Sequence, residues 1–166
     1  MILPAIDGST FDNATLHGTA YMLTFYRFAS CPFCNMRLHN LINRYHEFGS
    51  GFTLVAIFDS PIDNLIQHTE GHHAPFPILA DVENIYYKEF GIQQSFSGLL
   101  KGMFTRMPTM IQGMARGYIP TTIKGSIITM PADFLIDQSG IIERAYYGKD
   151  EGDHLATEEV IAFSKR

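Results

Sequence analysis

The stretch 21-YMLTFYRFASCPFCNMRLHNL-41 contains the only two cysteines of a 166-residue chain, Cys31 and Cys34. The run before them, residues 21–28, is aromatic and apolar with the single charge of Arg27, a composition that suits a buried strand. From Pro32 to Phe48, Met36, Leu38, Leu41, Ile42 and Tyr45 recur at helical spacing, and Gly49 and Gly51 mark the stop. Pro32 fits the first helical turn, where its missing N–H costs nothing. The stretch therefore reads as strand, CxxC, helix.

That placement has chemical consequences. Cys31 opens the helix, so its sulfur faces unpaired backbone N–H groups and the positive end of the helix dipole. Both favour thiolate over thiol, and a cysteine so placed titrates well below its free value of about 8.5. Cys34 lies one helical turn further on, where its thiol can attack a mixed disulfide formed at Cys31. Cys31 and Cys34 are thus the candidate catalytic pair, nucleophile and resolver. The competing readings are two small buried apolar residues, or part of a zinc site. Zinc needs about four ligands and there is no second CxxC. The histidines of 68-HTEGHH-73 read as a solvated helix end, so no metal and no cofactor is expected. Arg27, four residues before Cys31, either reaches the thiolate, where it lowers the thiol pKa and holds a substrate oxygen, or snorkels to water from the other face. His39 is expected at the surface, outside the chemistry.

Outward from this block the chain alternates. Residues 52-FTLVAIFD-59 read as a second buried strand, and 60-SPIDNLIQHTEG-71 as a helix with Ser60 as N-cap and Pro61 at its first position. A short strand at 76–81 and a helix at 83–92 follow. Residues 131-PADFLID-137 and 141-IIERAYYG-148 form an antiparallel hairpin around Gln138-Ser139-Gly140, and 156–165 a last helix. Residues 3–20 hold turn formers around short apolar pieces, read as a small hairpin. The order is that of an α/β protein with parallel pairing, in one domain over 1–166.

Residues 93–130 stand apart. They hold Met103, Met107, Met110 and Met114, four of the eight methionines, at one-face helical spacing. Residues 90–132 carry four cations and no carboxylate, hence +4, while the rest of the chain carries -9. Two helices broken at Pro108 and then a loop are expected, with the methionine face packed on the sheet. Its alternatives are a flexible surface for a hydrophobic substrate or partner, a basic face touching anionic membrane, and a homodimer interface. The overall charge of -5 argues against nucleic-acid binding. No signal peptide and no apolar run of membrane-spanning length is found, which suggests a cytoplasmic protein.

The run 22-MLTFYRFASCPFCNMRLHNL-41, with Phe25-Tyr26-Arg27 ahead of its CPxC, resembles the active-site strand and helix of peroxiredoxin-like proteins. These form the AhpC/TSA (alkyl hydroperoxide reductase/thiol-specific antioxidant) group of the thioredoxin superfamily. The block 131-PADFLIDQSGIIERAYYGKDEGDHL-155 resembles the same group, and the likeness covers nearly the whole chain. It implies a thioredoxin-like fold with a central mixed sheet and a helical insertion at about 93–128. It also implies a cis Pro131 facing the CxxC, with Met130 and its neighbours offering backbone hydrogen bonds to substrate. Peroxiredoxins carry Pro and Thr or Ser seven and three residues before the reactive cysteine, where this chain has Thr24 and Phe28. Ser30 stands where thioredoxins have Trp, and Phe25 where they have a buried acid. The expected function is therefore thiol–disulfide exchange, acting on a disulfide or peroxide substrate with a dithiol reductant. A Cys31 peroxidase is the alternative within enzymes. A non-catalytic redox-sensing or partner-binding module, with its thiols buried, is the alternative outside them.

Overall fold

The computed structural model describes residues 1–166. Its centre is a five-stranded mixed sheet in the order β5-β4-β3-β6-β7. Strands β3 (Ala20–Phe25), β4 (Phe52–Phe58) and β5 (Ile78–Ala80) run parallel; β6 (Ala132–Ile136) and β7 (Ile142–Tyr147) are added antiparallel. A separate two-stranded hairpin, β1 (Ile2–Pro4) and β2 (Thr10–Asp12), forms the N-terminal lead-in. The helices are α1 (Pro32–Asn43), α2 (Ile62–Thr69), α3 (Ile85–Glu89), α4 (Phe96–Thr105), α5 (Met107–Ala115) and α6 (Thr157–Ser164). None is long and apolar enough to cross a membrane.

The period of two along β3 builds two cores. Met22 and Tyr26 face one side with Leu54, Ala56 and Phe58 of β4, and there pack with Leu38 and Leu41 of α1, Leu65 of α2 and Val160 of α6. Tyr21, Leu23 and Phe25 face the other side, with Val55, Ile57, Phe134, Leu3 and Phe11 of the hairpin, and Tyr87 of α3. Both faces being covered explains why β3 and β4 read as continuous apolar runs rather than alternating ones. Both cysteines belong to the α1 side.

Three local expectations change. Ser60 does not cap α2; Pro61 holds that position, and the Ser60 hydroxyl accepts from Ala29 N at 2.8 Å and donates to Lys124 O at 2.6 Å. The helix from Pro32 ends at Asn43 and continues only as a short 3-10 turn over Tyr45–Glu47. The 93–128 segment does form two helices, but its methionine face does not pack on the sheet. α5 lies on α1, with Gly113 against Pro32 and Met36, and Met103, Met107 and Met114 point outward while Met110 is half-buried.

Candidate active site

β3 delivers the chain to the start of α1, where Cys31 is the N-cap residue and Pro32 occupies the first turn. Asn35 fixes this entry. Its side-chain amide donates to Ala29 O at 2.7 Å and to Cys31 O at 3.0 Å, which leaves its carbonyl to accept from His72 Nε2 at 2.9 Å. His72 is thereby set in the tautomer protonated at Nε2. Burial, and secondarily His39, holds its pKa down to about 4, so it is a neutral positioning group at ordinary pH. The histidines of 68–73 are therefore not simply a solvated helix end: His72 stacks on Tyr118 and buttresses the cysteine loop.

Arg27 turns inward. Its Nη2 donates to Cys31 Sγ at 3.1 Å and its Nη1 to Ile127 O at 2.8 Å, and its guanidinium lies over the Phe28 ring at 5.3 Å. Both thiols are reduced and fully buried. Burial pushes the Cys31 pKa up, but the neighbouring Cys34 thiol and the Arg27 charge outweigh it and hold Cys31 well below the ordinary thiol range. Cys34 is driven the opposite way, first by burial and then by its interaction with Cys31. The two sulfurs are thus biased in opposite directions, Cys31 toward thiolate and Cys34 toward thiol.

The loop after α5 crosses over this pair as a strap. Besides the Arg27 bond to Ile127, Ser30 Oγ donates to Thr122 O at 3.0 Å, Ser60 Oγ to Lys124 O, and Ser126 N to Asp59 Oδ2 at 2.9 Å. Gly125, at φ +121°, brings the strap backbone against Asp59 where no side chain fits. Beside the strap a polar cleft of about 370 Å³ is lined by Ser30, Asn35, His72, Arg116 and Tyr118 among others.

The expectations at Pro131 need correction. Its peptide bond is trans, as are all the others. It immediately precedes β6, its carbonyl accepting from Gly148 N at 2.8 Å, a geometry that trans proline enters without a bend. The neighbouring backbone is not free for substrate either: Met130 N donates to Gln93 O, Ser95 N to Ile128 O, and Thr129 bridges to Gln94. Met130 is buried with its sulfur against Gly98 of α4.

Two acids escape a reading of the sequence. Glu151 is 1% exposed and neither of its carboxylate oxygens has a hydrogen-bond partner. It packs against Gly102 of α4. Burial raises its pKa, and it feels the charges of Arg27 and Cys31. Asp133 of β6 is fully buried and accepts from Thr24 Oγ1 at 2.6 Å, Leu155 N at 2.7 Å and His154 Nδ1 at 3.0 Å. The 150–155 tail that supplies these contacts lies more than 115 residues from the CxxC, so no local spacing links them.

A family model described as the AhpC/TSA family matches residues 1–145. No curated protein matches the chain in sequence. Among solved structures, peroxidoxin BcpB from Mycobacterium tuberculosis is similar at 16% identity and TM-score 0.70, over 98% of this chain and 90% of that one. The bacterioferritin comigratory protein of Xanthomonas campestris is similar at 13% identity and TM-score 0.64, over 89% and 80%. A thioredoxin-family thiol:disulfide interchange protein from Chlorobium tepidum is similar at 20% identity and TM-score 0.56, over 99% and 92%. These likenesses establish the fold as thioredoxin-like, of the kind peroxiredoxins share.

Proposed function

The chain belongs to the AhpC/TSA family, and from that premise we propose that it is a thiol–disulfide oxidoreductase working through Cys31 and Cys34. Membership makes it a thiol-based redox enzyme whose substrates are peroxides or disulfides and whose partners are thiol reductants. Within that class, the fate of the hydroxyls near Cys31 supports disulfide exchange. A peroxidase needs a hydroxyl beside the reactive sulfur to orient the peroxide. Here Thr24 gives its proton to Asp133, Ser30 gives its proton to the Thr122 carbonyl, and Phe28 stands three residues before Cys31.

In the proposed cycle the Cys31 thiolate attacks one sulfur of a substrate disulfide. A mixed disulfide forms, the substrate S–S bond breaks, and the first substrate thiolate leaves and takes a proton from water. Cys34 then attacks the Cys31 sulfur and its proton passes to the departing second thiolate. The substrate has gained two electrons, and the enzyme holds a Cys31–Cys34 disulfide that a dithiol reductant reopens. Arg27 favours the Cys31 thiolate before attack and again when that sulfur leaves as the reductant reopens the disulfide. Met130 and Pro131 serve as the wall of the substrate groove once the paired 93–95 segment parts from them.

The second reading, a peroxidase, draws support from the same Arg27–Cys31 contact, which suits a peroxide oxygen as well as a sulfur. Full burial of both thiols is the one feature shared with a non-catalytic module, and the opposed proton affinities of the two sulfurs favour an enzyme over it. The deciding experiment follows loss of the Cys31 thiol of the reduced protein against hydrogen peroxide and against a small disulfide. Fast exchange with slow peroxide reaction is expected. A faster peroxide reaction that yields the Cys31–Cys34 bond assigns the peroxidase instead, and slow reaction with both removes the catalytic reading.

A further inference from the structure

α4 and α5 form a helix turned inside out. The helical bonding runs through their junction, with Arg106 N donating to Gly102 O at 2.8 Å and Met110 N to Arg106 O at 3.1 Å. Together they span residues 96–115, with Arg106 as the non-helical joint between them. The face laid on the body is glycine: Gly98 against Met130 and Lys149, Gly102 against Glu151, Gly113 against Pro32 and Met36. The bulky apolar residues stand on the outer side. Phe96, Leu100, Met103, Met107, Ile111 and Met114 form a stripe at steps of three and four, with Phe104 beside it 76% exposed. Ordinary surface helices do the reverse, and contiguous apolar patches on a soluble protein mark an interaction site.

We infer that this stripe docks the protein on an anionic lipid surface, lying in the interface rather than crossing it. The charge around it selects that occupant. No carboxylate occurs between residues 90 and 132, where the charged residues are Lys101, Arg106, Arg116 and Lys124. Lys101 and Arg106 are paired with Asp150 and Asp153 of the body, so the cations of the segment without an acidic partner are Arg116 and Lys124. Arg116 and Lys124 are exposed and make no ion pair. An apolar face with cations at its margins binds where acyl chains and anionic headgroups meet. A second copy seated on the same face would bring no carboxylate of the segment to meet the unpaired Arg116 and Lys124.

The test is co-sedimentation of the reduced full-length protein with vesicles of phosphatidylcholine alone and with vesicles rich in phosphatidylglycerol. Binding about tenfold tighter or more to the anionic vesicles, weakened by salt, is expected. The double substitution Phe104→Asp, Ile111→Asp abolishes it while leaving the unfolding transition and the exchange rate with a small soluble disulfide unchanged, since both side chains are exposed. Absence of binding to either vesicle, or equal affinity for both, overturns the inference. So does a concentration-dependent dimer that the same double substitution dissolves, which assigns the stripe to a second copy.

Discussion

After the Cys34 thiol, the charge of Arg27 and its hydrogen bond to Cys31 are what hold that sulfur's pKa down. Replacing Arg27 with Met keeps the length and removes the charge. The pH midpoint for alkylation of Cys31 then moves up toward the ordinary thiol value, and the rate at pH 6.5 falls about tenfold or more; a pH-resolved labelling series measures this. Glu151 makes the opposite demand. Its raised pKa means that whatever stability it contributes is present in acid and is lost as pH rises through that pKa, because burying an unpartnered carboxylate is costly. Glu151→Gln therefore stabilises the fold by about 1 kcal/mol at pH 8 and has little effect near pH 4, as urea titrations at the two pH values will register. These residues also mark what a linear reading reaches. Cys31, Cys34 and Arg27 lie within one strand-to-helix step, so local geometry nearly dictates their meeting. Asn35, Glu151 and Asp133 act through partners that only the folded sheet and tail bring near.

The insertion is the element whose period was legible and whose orientation was not. Helical spacing tells that Met103, Met107 and Met114 share a face; it does not tell which way the face points. The glycines at 98, 102 and 113 held the missing information, since small residues on one side permit a close approach of backbone to body. At Gly113 an added Cβ would lie 3.1 Å from Pro32 and 3.2 Å from Met36. Gly113→Val thus lifts α5 from α1. Labelling of the reduced protein with a bulky maleimide should accelerate several-fold, while the pH midpoint of Cys31 stays put because Arg27 is untouched. Ser60 carries the same lesson in miniature. A serine before a proline-led helix has the signature of a cap, and tertiary structure recruited its hydroxyl to hold the strap.

At the scale of the molecule, Asp133 joins the sheet to the C-terminal tail through Thr24, His154 and Leu155. Burial raises its carboxyl pKa, but His154 outweighs that and holds it at about 2. For a carboxyl depressed in the fold, the stabilisation is complete above the unfolded value near 3.9 and is lost as pH falls toward 2, so acid unfolding should steepen across that window. Asp133→Asn weakens the acceptor that Thr24, His154 and Leu155 share inside the core and lowers stability by about 3 kcal/mol, a fall in melting temperature of roughly 6–12 °C by calorimetry. The succession of buried strands and helices along the chain was readable because apolar runs and turn residues alternate so regularly. The clamp was not, because an aspartate in a strand ordinarily argues against burial.

The strap over the two sulfurs has a consequence for timing. A sulfur with no exposed surface meets a reagent only in the fraction of molecules whose cover has momentarily parted. Observed turnover is then a product of two independently adjustable factors, how often the door opens and how reactive the nucleophile is once reached. Each tie made by Ser30, Ser60 or Ser126 across the strap is worth about 1 kcal/mol, so losing one raises the open fraction roughly fivefold without altering the chemistry behind it. An ionised thiol left in the open is a standing target for any stray oxidant or metal. Kept behind a latch of four hydrogen bonds, it is reached only while the latch is open, so the rate with any reagent, large or small, carries the same opening probability as a common factor.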